Sequence, residues 1–334
     1  MAANTETPHF KRMALLGVGL IGSSIALSAR RAGLVDHIVG CARTARTREK
    51  AVELGIVDAM YEDPAVCVAG ADLVIVCSHL GSYPAVGAAM APGLAPGAIV
   101  TDVGSVKGCV ARDLGPHIPD GVHLVPGHPV SGSEKSGPEA GFAELFDGRW
   151  WILTPGQDAD GAVVERLTAF VRALGSRVEI MDAKRHDLVL AITSHLPHLI
   201  AYNIVGTADD MEAVTQGEVV KYSAGGFRDF TRIAASDPEF WRDVFLNNRE
   251  AVLEMLGRLS EDLSGLQRAI RVGDGETPDR LFTRTRDIRR RPAQAGPHRP
   301  PAPAQPQPAD PLTPTPDSPP HGQRCDSPRP RLTT

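Results

Sequence analysis

Short apolar runs alternate with helix-length segments through the first half of the chain, and no other feature limits the fold as strongly. The runs, rich in Val, Ile and Leu, are 13–16, 38–41, 73–77, 98–102, 123–125, 151–153 and 177–180. Helical segments between them include 23–31, 45–54, 107–114 and 160–174. Such alternation is typical of a parallel sheet covered by helices on both faces. The sequence therefore predicts an α/β fold with a Rossmann-like, doubly wound sheet over residues 11–182.

The pattern changes after residue 182. Between 184 and 270 no convincing strand remains, and apolar residues recur at helical spacing in 188–205 and 249–266. We therefore expect an all-helical domain over residues 183–290.

The last 44 residues differ from both domains. Residues 291–334 hold 14 of the 28 prolines and contain no Val, Ile, Met, Phe, Tyr or Trp. Such a segment cannot bury enough apolar surface to offset its ordering entropy. We expect a disordered tail, and truncation after Arg290 should leave any activity intact.

Composition narrows the class of protein. A net charge of −5 argues against nucleic-acid binding, which usually needs a basic excess. No apolar run reaches the ~18 residues of a membrane span, and the N-terminus lacks the apolar centre of a secretory signal. Five cysteines without a C-x-x-C pair predict neither a disulfide framework nor a zinc site. We expect a soluble cytoplasmic protein with no metal, membrane or nucleic-acid partner.

The sequence GVGLIG at 17–22 matches the dinucleotide-binding pattern G-x-G-x-x-G. The pattern alone is weak, but an apolar strand precedes it and a Ser/Ala-rich helix follows it. Gly17 allows the tight turn, Gly19 lets the backbone approach a pyrophosphate, and Gly22 permits close packing of helix on strand. The new helix then offers free N–H groups to the phosphates. The predicted cofactor site comprises Gly17, Gly19, Leu20, Ile21, Gly22, Arg43, Ser78 and Asp102.

The acidic residue that usually holds the adenosine ribose, about 20 positions further on, is missing. The second apolar run instead leads into Arg43, with Arg46 and Arg48 beyond it. An arginine here can accept a 2′-phosphate, or it can stack on adenine or face solvent. The cofactor is therefore NAD+ or NADP+, with NADP+ plausible because of Arg43.

Two polar clusters follow later strands, where a doubly wound sheet opens onto its ligand, and a third lies in the helical region. They are DVGSVKG at 102–108, GHPVSGSEKSG at 127–137, and a helical group formed by SHLPH at 194–198 with GGFRDFTRIAASDPEFWRD at 225–243.

These phrases, in this order, resemble the prephenate/arogenate (cyclohexadienyl) dehydrogenase family of tyrosine biosynthesis. The resemblance extends from about residue 13 to 290 and includes GVGLIGSSIA at 17–26. It implies a Rossmann-like domain, a helical dimerisation domain, a homodimer, and an active site between the two domains. The implied reaction is oxidative decarboxylation of prephenate to 4-hydroxyphenylpyruvate with hydride transfer to NAD(P)+. Arogenate is an alternative substrate.

The resemblance also suggests roles for individual residues. His128 should accept the ring hydroxyl proton, since a neutral imidazole has a free acceptor nitrogen near neutral pH. Ser105 should hydrogen-bond the histidine or the substrate, and it could also cap the helix that follows. Arg232 should clamp the ring carboxylate with its planar donor fork, unless it forms an ion pair with a neighbouring aspartate.

Other substrate-binding candidates are less specific. His198 should contact the side-chain end of the substrate, whereas His195 is either structural or near the cofactor. The two are three apart and would share a helix face, and Pro197 would kink that helix or lie in its first turn. The remaining candidates, each with a structural alternative, are Glu134, Gly226 and Trp241. Lys107 is expected to cap its helix or face solvent.

Two other classes compete with this interpretation. One is another dehydrogenase with a Rossmann and a helical domain, of the β-hydroxyacid or imine-reductase kind. The other is a dinucleotide sensor without catalysis, against which the joint presence of His128, Ser105 and Arg232 argues.

Overall fold

The computed structural model describes residues 9–133, 135–215 and 225–291. Its strands are β1 Phe10–Leu16, β2 Val35–Cys41, β3 Ala59–Tyr61, β4 Leu73–Val76, β5 Ile99–Asp102, β6 His123–Leu124, β7 Gly127–Pro129, β8 Trp150–Leu153 and β9 Arg177–Ile180. Its helices within the first 180 residues of the chain are α1 Leu20–Arg31, α2 Ala45–Glu53, α3 Pro64–Val68, α4 Tyr83–Met90, α5 Gly108–Asp113 and α6 Gly161–Ala173. The later helices are α7 Ala183–Leu190, α8 Leu196–Thr215, α9 Gly225–Thr231, α10 Pro238–Asn247, α11 Arg249–Val272 and α12 Glu276–Arg290. The predicted tail lies outside the described residues from 292 onward.

The main sheet has six parallel strands in the order β3-β2-β1-β4-β5-β6. The direction of strand addition reverses between β1 and β4, and open α/β sheets bind ligands at such a point. Met13 pairs with Ile38 on one side and with Leu73 on the other, so the glycine-rich turn after β1 lies at the centre of the sheet. The predicted doubly wound sheet is confirmed.

Side chains alternate between the two faces of a sheet, and each face of the central strands packs against an apolar core. Met13 and Leu15 belong to one apolar core, whereas Ala14 and Leu16 belong to the core on the opposite face. This two-sided burial explains why the runs are almost continuously apolar.

A second, smaller sheet follows, in the order β7-β8-β9. β7 runs antiparallel to β8, and His128 pairs with Ile152. The sequence predicted β8 and β9 but missed β7 and β3, because each is only three residues long and β7 contains a proline.

Helices alone follow Asp182 in the described residues, as predicted. Asp182 caps α7 by accepting a hydrogen bond from the Arg185 N–H at 2.8 Å. A π-helical turn, Ala191–His195, separates α7 from α8. Pro197 lies in the first turn of α8, which is one of the two places expected for it.

By its contacts the chain divides into two compact units, residues 1–268 and 269–334. The first unit includes both sheets and the helices from α1 through most of α11. The described part of the second consists of the end of α11 and α12. Within the first unit, hydrogen bonds described below join the turn after β5 and β7 to α7, so this unit is not divided at residue 182.

One helical stretch of the described residues, Ala183–Met211, is long and apolar enough to cross a membrane by length and composition alone. The sequence had predicted no such span. Much of this stretch is exposed, including Ile192 and Ile204, yet it also supplies His186 and His195, which are fully buried.

Candidate active site

The glycine-rich turn after β1 has the shape that a dinucleotide needs. Gly17 has a φ of +109°, and a Cβ there would lie 2.8 Å from the carbonyl oxygen of Cys77. A Cβ at Gly22 would lie 2.4 Å from the oxygen of Gly17, so both positions require glycine. Gly19 is the N-cap of α1, has open space around it and provides no side-chain cap. The first N–H groups of α1 are therefore available to an anion, and the turn fits a pyrophosphate.

The loops beside this turn hold other predicted cofactor residues. Leu20 and Ile21 form the first turn of α1. Ser78 follows β4, and its backbone nitrogen would lie 3.1 Å from a Cβ at Gly17. Arg43 is exposed just after β2, with no acidic residue beside it in sequence. Arg48 instead turns inward, donating to the carbonyls of residues 42 and 43 and to Glu62.

Asp102, at the end of β5, has no exposed surface and is fully engaged within the protein. Its Oδ2 accepts hydrogen bonds from the Lys107 Nζ, the Tyr83 hydroxyl at 2.8 Å and the Gly104 N–H at 2.9 Å. Its Oδ1 accepts from the Gly127 N–H at 3.1 Å. The Asp102 side chain therefore has a structural role, and its contact with a cofactor stays a prediction.

Lys107 is the N-cap residue of α5, one of the two places expected for it, although its side chain makes no cap hydrogen bond. The other expectation, that it faces solvent, is wrong, since Lys107 is 1% exposed. Its ammonium group donates to Asp102 and, at 2.6 Å, to the carbonyl oxygen of Gly127. Lys107 and Asp102 thus fix the strand residue directly before His128.

His128 lies at the centre of β7 and is 7% exposed. Its Nδ1 is 2.8 Å from the Nε2 of His186, and the two rings meet edge to face. Burial lowers the pKa of His128 well below its usual range, and the charges of His186, Lys107 and His195 lower it further. His128 is therefore a neutral base at neutral pH, as its predicted role requires.

Asp187 connects this histidine pair to the sheet. Its Oδ1 is 2.8 Å from the Nδ1 of His186 and accepts the Lys107 N–H at 2.7 Å. Its Oδ2 accepts the Gly108 N–H at 2.8 Å, at the start of α5. A residue of α7 thus binds the turn that follows β5.

His195 is fully buried beside the same network. The side-chain amide of Asn248 contacts its Nδ1 at 3.0 Å and also donates to the carbonyl of Asp187 at 2.8 Å. Burial is the main reason that the pKa of His195 is lowered to about 4. Its buried Nε2 makes no hydrogen bond of regular geometry within the described chain, and the Ser105 backbone lies close to the ring. No group of three or more His, Cys, Asp or Glu among the described residues could hold a metal ion.

Ser105 lies close to His195, whose ring contacts the Ser105 backbone. Its hydroxyl is buried and, in the described part of the protein, has no hydrogen-bond partner. Lys107, and not Ser105, is the N-cap of α5. The alternative capping role is therefore wrong, and the hydroxyl is free for a ligand.

His198 and Trp241 form a stacked pair. Their ring centroids lie 3.6 Å apart with an interplanar angle of 21°, and His195 meets the same tryptophan edge-on at 6.1 Å. The two histidines therefore share a face, as their spacing predicted. Burial lowers the pKa of His198, and the charge of Arg232 nearby lowers it further. Arg232 follows α9 directly, in the short helical turn Arg232–Ala235, and is exposed to solvent while its charge still acts on His198.

Gly226 and Glu134 are the two remaining candidates. Gly226 is exposed in α9, with nothing within 4 Å of an added Cβ. Glu134 lies outside the described residues.

The sequence interpretation missed four residues of the site: His186, Asp187, Lys107 and Asn248. A buried role for Lys107 could have been suspected from its place in the polar turn after β5. Nothing local distinguishes His186 and Asp187 within the charged stretch AKRHD, because their partners lie 58 to 80 residues away.

Comparison with known proteins places most of the described region in one family. The model of the prephenate dehydrogenase nucleotide-binding domain matches residues 25–180, and that of the dimerization domain matches residues 182–284. A cyclohexadienyl dehydrogenase of Zymomonas mobilis is 41% identical over 270 residues, covering 80% of this chain and 91% of that protein. A prephenate dehydrogenase of Bacillus subtilis is 32% identical over 276 residues, covering 82% and 74%.

Solved structures of similar proteins have the same fold as this chain. Prephenate dehydrogenase from A. aeolicus, in complex with hydroxyphenyl propionate and NAD+, superposes with a TM-score of 0.79 at 33% identity. The match covers 85% of this chain and 99% of that one. An arogenate dehydrogenase from Synechocystis gives a TM-score of 0.70 at 27% identity, covering 83% and 98%.

Proposed function

The chain belongs to the prephenate dehydrogenase family, and we propose that it converts prephenate to 4-hydroxyphenylpyruvate by oxidative decarboxylation, with His128 as the general base. It is an NAD-dependent oxidoreductase of tyrosine biosynthesis. The observation that supports the proposed base best is the burial of a neutral His128 near two buried polar atoms that make no hydrogen bond of regular geometry in the described chain, Ser105 Oγ and His195 Nε2. The hydroxyl of the substrate ring needs a neutral base to accept its proton and polar atoms nearby to orient it.

The proton that leaves the substrate hydroxyl returns to the product at the end of the reaction. His128 Nε2 accepts the hydroxyl proton, while a bound nicotinamide would supply the hydride acceptor for the ring carbon that bears this hydroxyl. The ring carboxylate then leaves as CO2, and its bonding electron pair makes the ring aromatic as a phenolate. The phenolate takes the proton back from His128, so the base is restored without net proton release. Ser105 orients the hydroxyl oxygen during both transfers.

The glycine-rich turn supports binding of NAD+. We propose that NADP+ can also bind, because β2 is followed by Arg43 and by no acidic residue. Gly17, Gly19 and Gly22 would hold the pyrophosphate at the start of α1, with Ser78 near the nicotinamide end. Arg43 would face the adenosine ribose, where a 2′-phosphate meets a cation and no carboxylate.

The substrate carboxylates require cations or donors. Arg232 would bind the ring carboxylate bidentately, and His198, stacked on Trp241, would contact the side-chain end. A neutral His198 favours the keto group of prephenate only modestly, so arogenate is a second substrate to test. Glu134 and Gly226 remain proposed substrate contacts.

The assembly is a homodimer formed through the helical region, as its match to a dimerization domain supports. Exposed apolar residues of α7, the π-turn and α8, such as Leu188, Ile192 and Ile204, are suited to cover one another in such a dimer. We propose functional domains of 11–182 and 183–290, and a cytoplasmic location.

Absorbance of the reduced nicotinamide tests this function directly. Four reactions combine prephenate or arogenate with NAD+ or NADP+. We expect turnover of prephenate with at least one cofactor. The absence of turnover in all four reactions, from protein that binds NAD+, would contradict the function and favour the dinucleotide sensor.

A further inference from the structure

Behind the proposed base lies a chain of buried contacts that the reaction as described does not use. His128 Nδ1 faces His186 Nε2 at 2.8 Å, and His186 Nδ1 faces Asp187 Oδ1 at 2.8 Å. His186 has no exposed surface. Lys107, Asp102 and His195 are the other titratable groups that act on this histidine pair.

The contacts decide which nitrogen of each ring carries a proton. Asp187 Oδ1 already accepts the Lys107 N–H, so it faces His186 as an acceptor. His186 must therefore carry its proton on Nδ1, and as a buried neutral ring it presents a lone pair at Nε2. His128 can satisfy that lone pair only with an Nδ1–H. The lone pair of His128 is then on Nε2, the nitrogen opposite His186.

We propose that His186 and Asp187 are positioning residues that hold His128 as the Nδ1–H tautomer, so that its Nε2 is always the basic nitrogen. This inference rests on the proposed function for its catalytic meaning, although the tautomer itself does not depend on the substrate. A third group that orients the base in this way is a recurring feature of enzymes that use histidine.

The same contacts persist when His128 is protonated during turnover. When His128 Nε2 takes the hydroxyl proton, its Nδ1–H still donates to His186 Nε2. The Asp187 carboxylate polarises His186 in turn. The positive charge on His128 is thus linked to the negative charge of Asp187 through two hydrogen bonds. When the phenolate removes the proton from Nε2, His128 returns to the tautomer from which it started.

Three variants separate positioning from mere packing. His186→Leu removes the acceptor for His128 Nδ1–H. Asp187→Asn can turn its amide N–H toward His186 and so reverse both tautomers. His186→Gln retains an acceptor oxygen. We expect kcat to fall at least about tenfold in the first two with little change in KM, and to recover partly in His186→Gln.

The matched control is His37→Gln. His37 Nδ1 also pairs with an aspartate, Asp58 Oδ2, at 3.2 Å, but on the exposed side of β2. This variant should match the wild type in kcat, KM and pH profile. Binding of NAD+ by each variant checks that it is folded.

The closing experiment reads the tautomer without substrate. In full-length protein labelled with ¹⁵N-histidine, the His128 nitrogens are assigned by difference from His128→Asn. We expect a protonated Nδ1 and an unprotonated Nε2 in the wild type and His186→Gln, and loss of this pattern in Asp187→Asn. An unprotonated Nδ1 in the wild type, or an Asp187→Asn spectrum and kcat equal to those of the wild type, would overturn the proposal. Because no substrate is present, the spectrum distinguishes this failure from a failure of the proposed reaction.

Discussion

Lys107 and Asp102 form an ion pair in which neither side chain has any exposed surface. The pair lies between β5 and the backbone of Gly127, and each partner also bonds to other groups of the sheet. Removing one charge from such a pair leaves the other uncompensated in a medium that solvates it poorly.

Lys107→Met should therefore lower the free energy of unfolding by about 3–5 kcal/mol. Lys50→Met is the control, since Lys50 forms only a surface pair with Glu53, and its loss should cost at most about 0.5 kcal/mol. Urea denaturation at pH 7.5 measures both. Adding Asp102→Asn to Lys107→Met should recover part of the loss, and equal stability of Lys107→Met and Lys50→Met would show that the buried pair is unimportant.

His128→Asn should abolish proton transfer while leaving cofactor binding intact. General bases contribute about 10²–10⁴ to the rate, and we expect kcat for prephenate to fall by that factor. Titration calorimetry with NAD+ checks the cofactor site. His123→Asn, on the edge strand β6, provides the comparison. Oxidation of prephenate by His128→Asn at nearly the wild-type rate would eliminate the proposed mechanism.

Arg232→Gln should raise the KM for prephenate about 10–100-fold, because a charge-assisted hydrogen bond to a carboxylate contributes about 1.5–3 kcal/mol. Arg232→Lys should recover only part of this effect, since lysine lacks the bidentate fork. Initial rates over a range of prephenate concentrations measure it. An unchanged KM in Arg232→Gln would assign Arg232 to the structure alone.

Stability should fall on acidification from near neutral pH. Burial keeps His128, His186 and His195 neutral in the folded protein, and it lowers the pKa of His195 to about 4. The unfolded chain takes up protons near pH 6.5, so the folded state loses stability as pH falls from there toward 4. His195 alone should account for roughly 3 kcal/mol. Urea denaturation between pH 7.5 and 4.5 measures the slope, and His195→Gln should make it shallower. A curve for this variant that is parallel to the wild type would refute the assignment.

The sequence predicts the fold well wherever the signal is local. Gly17, Gly19 and Gly22 follow an apolar strand and begin a helix, so their turn can be recognised from neighbours alone. Pro197 likewise marks the first turn of its helix. The strand that carries His128 gives no such signal, because its pairing with β8 depends on residues more than 20 positions away.

The residues of the site likewise fall into those with a local sequence signal and those without one. His128 and Ser105 stand in polar turns after apolar runs, which made them visible. His186 and Asp187 look like part of a solvated helix end, and only the tertiary structure buries them. The structural role of Asp102 was not predicted, because the sequence does not show that Lys107 folds back onto it.

The histidine pair crosses the boundary at which the two family models meet, between residues 180 and 182. His128 lies before that boundary, and His186 and Asp187 lie just after it. A recombination event at this point that supplied foreign helices would preserve the dinucleotide-binding half, yet it would leave the base without its second ring and carboxylate. Exchanging either half would therefore be expected to break the contact of His128 with His186 unless both contact residues are retained.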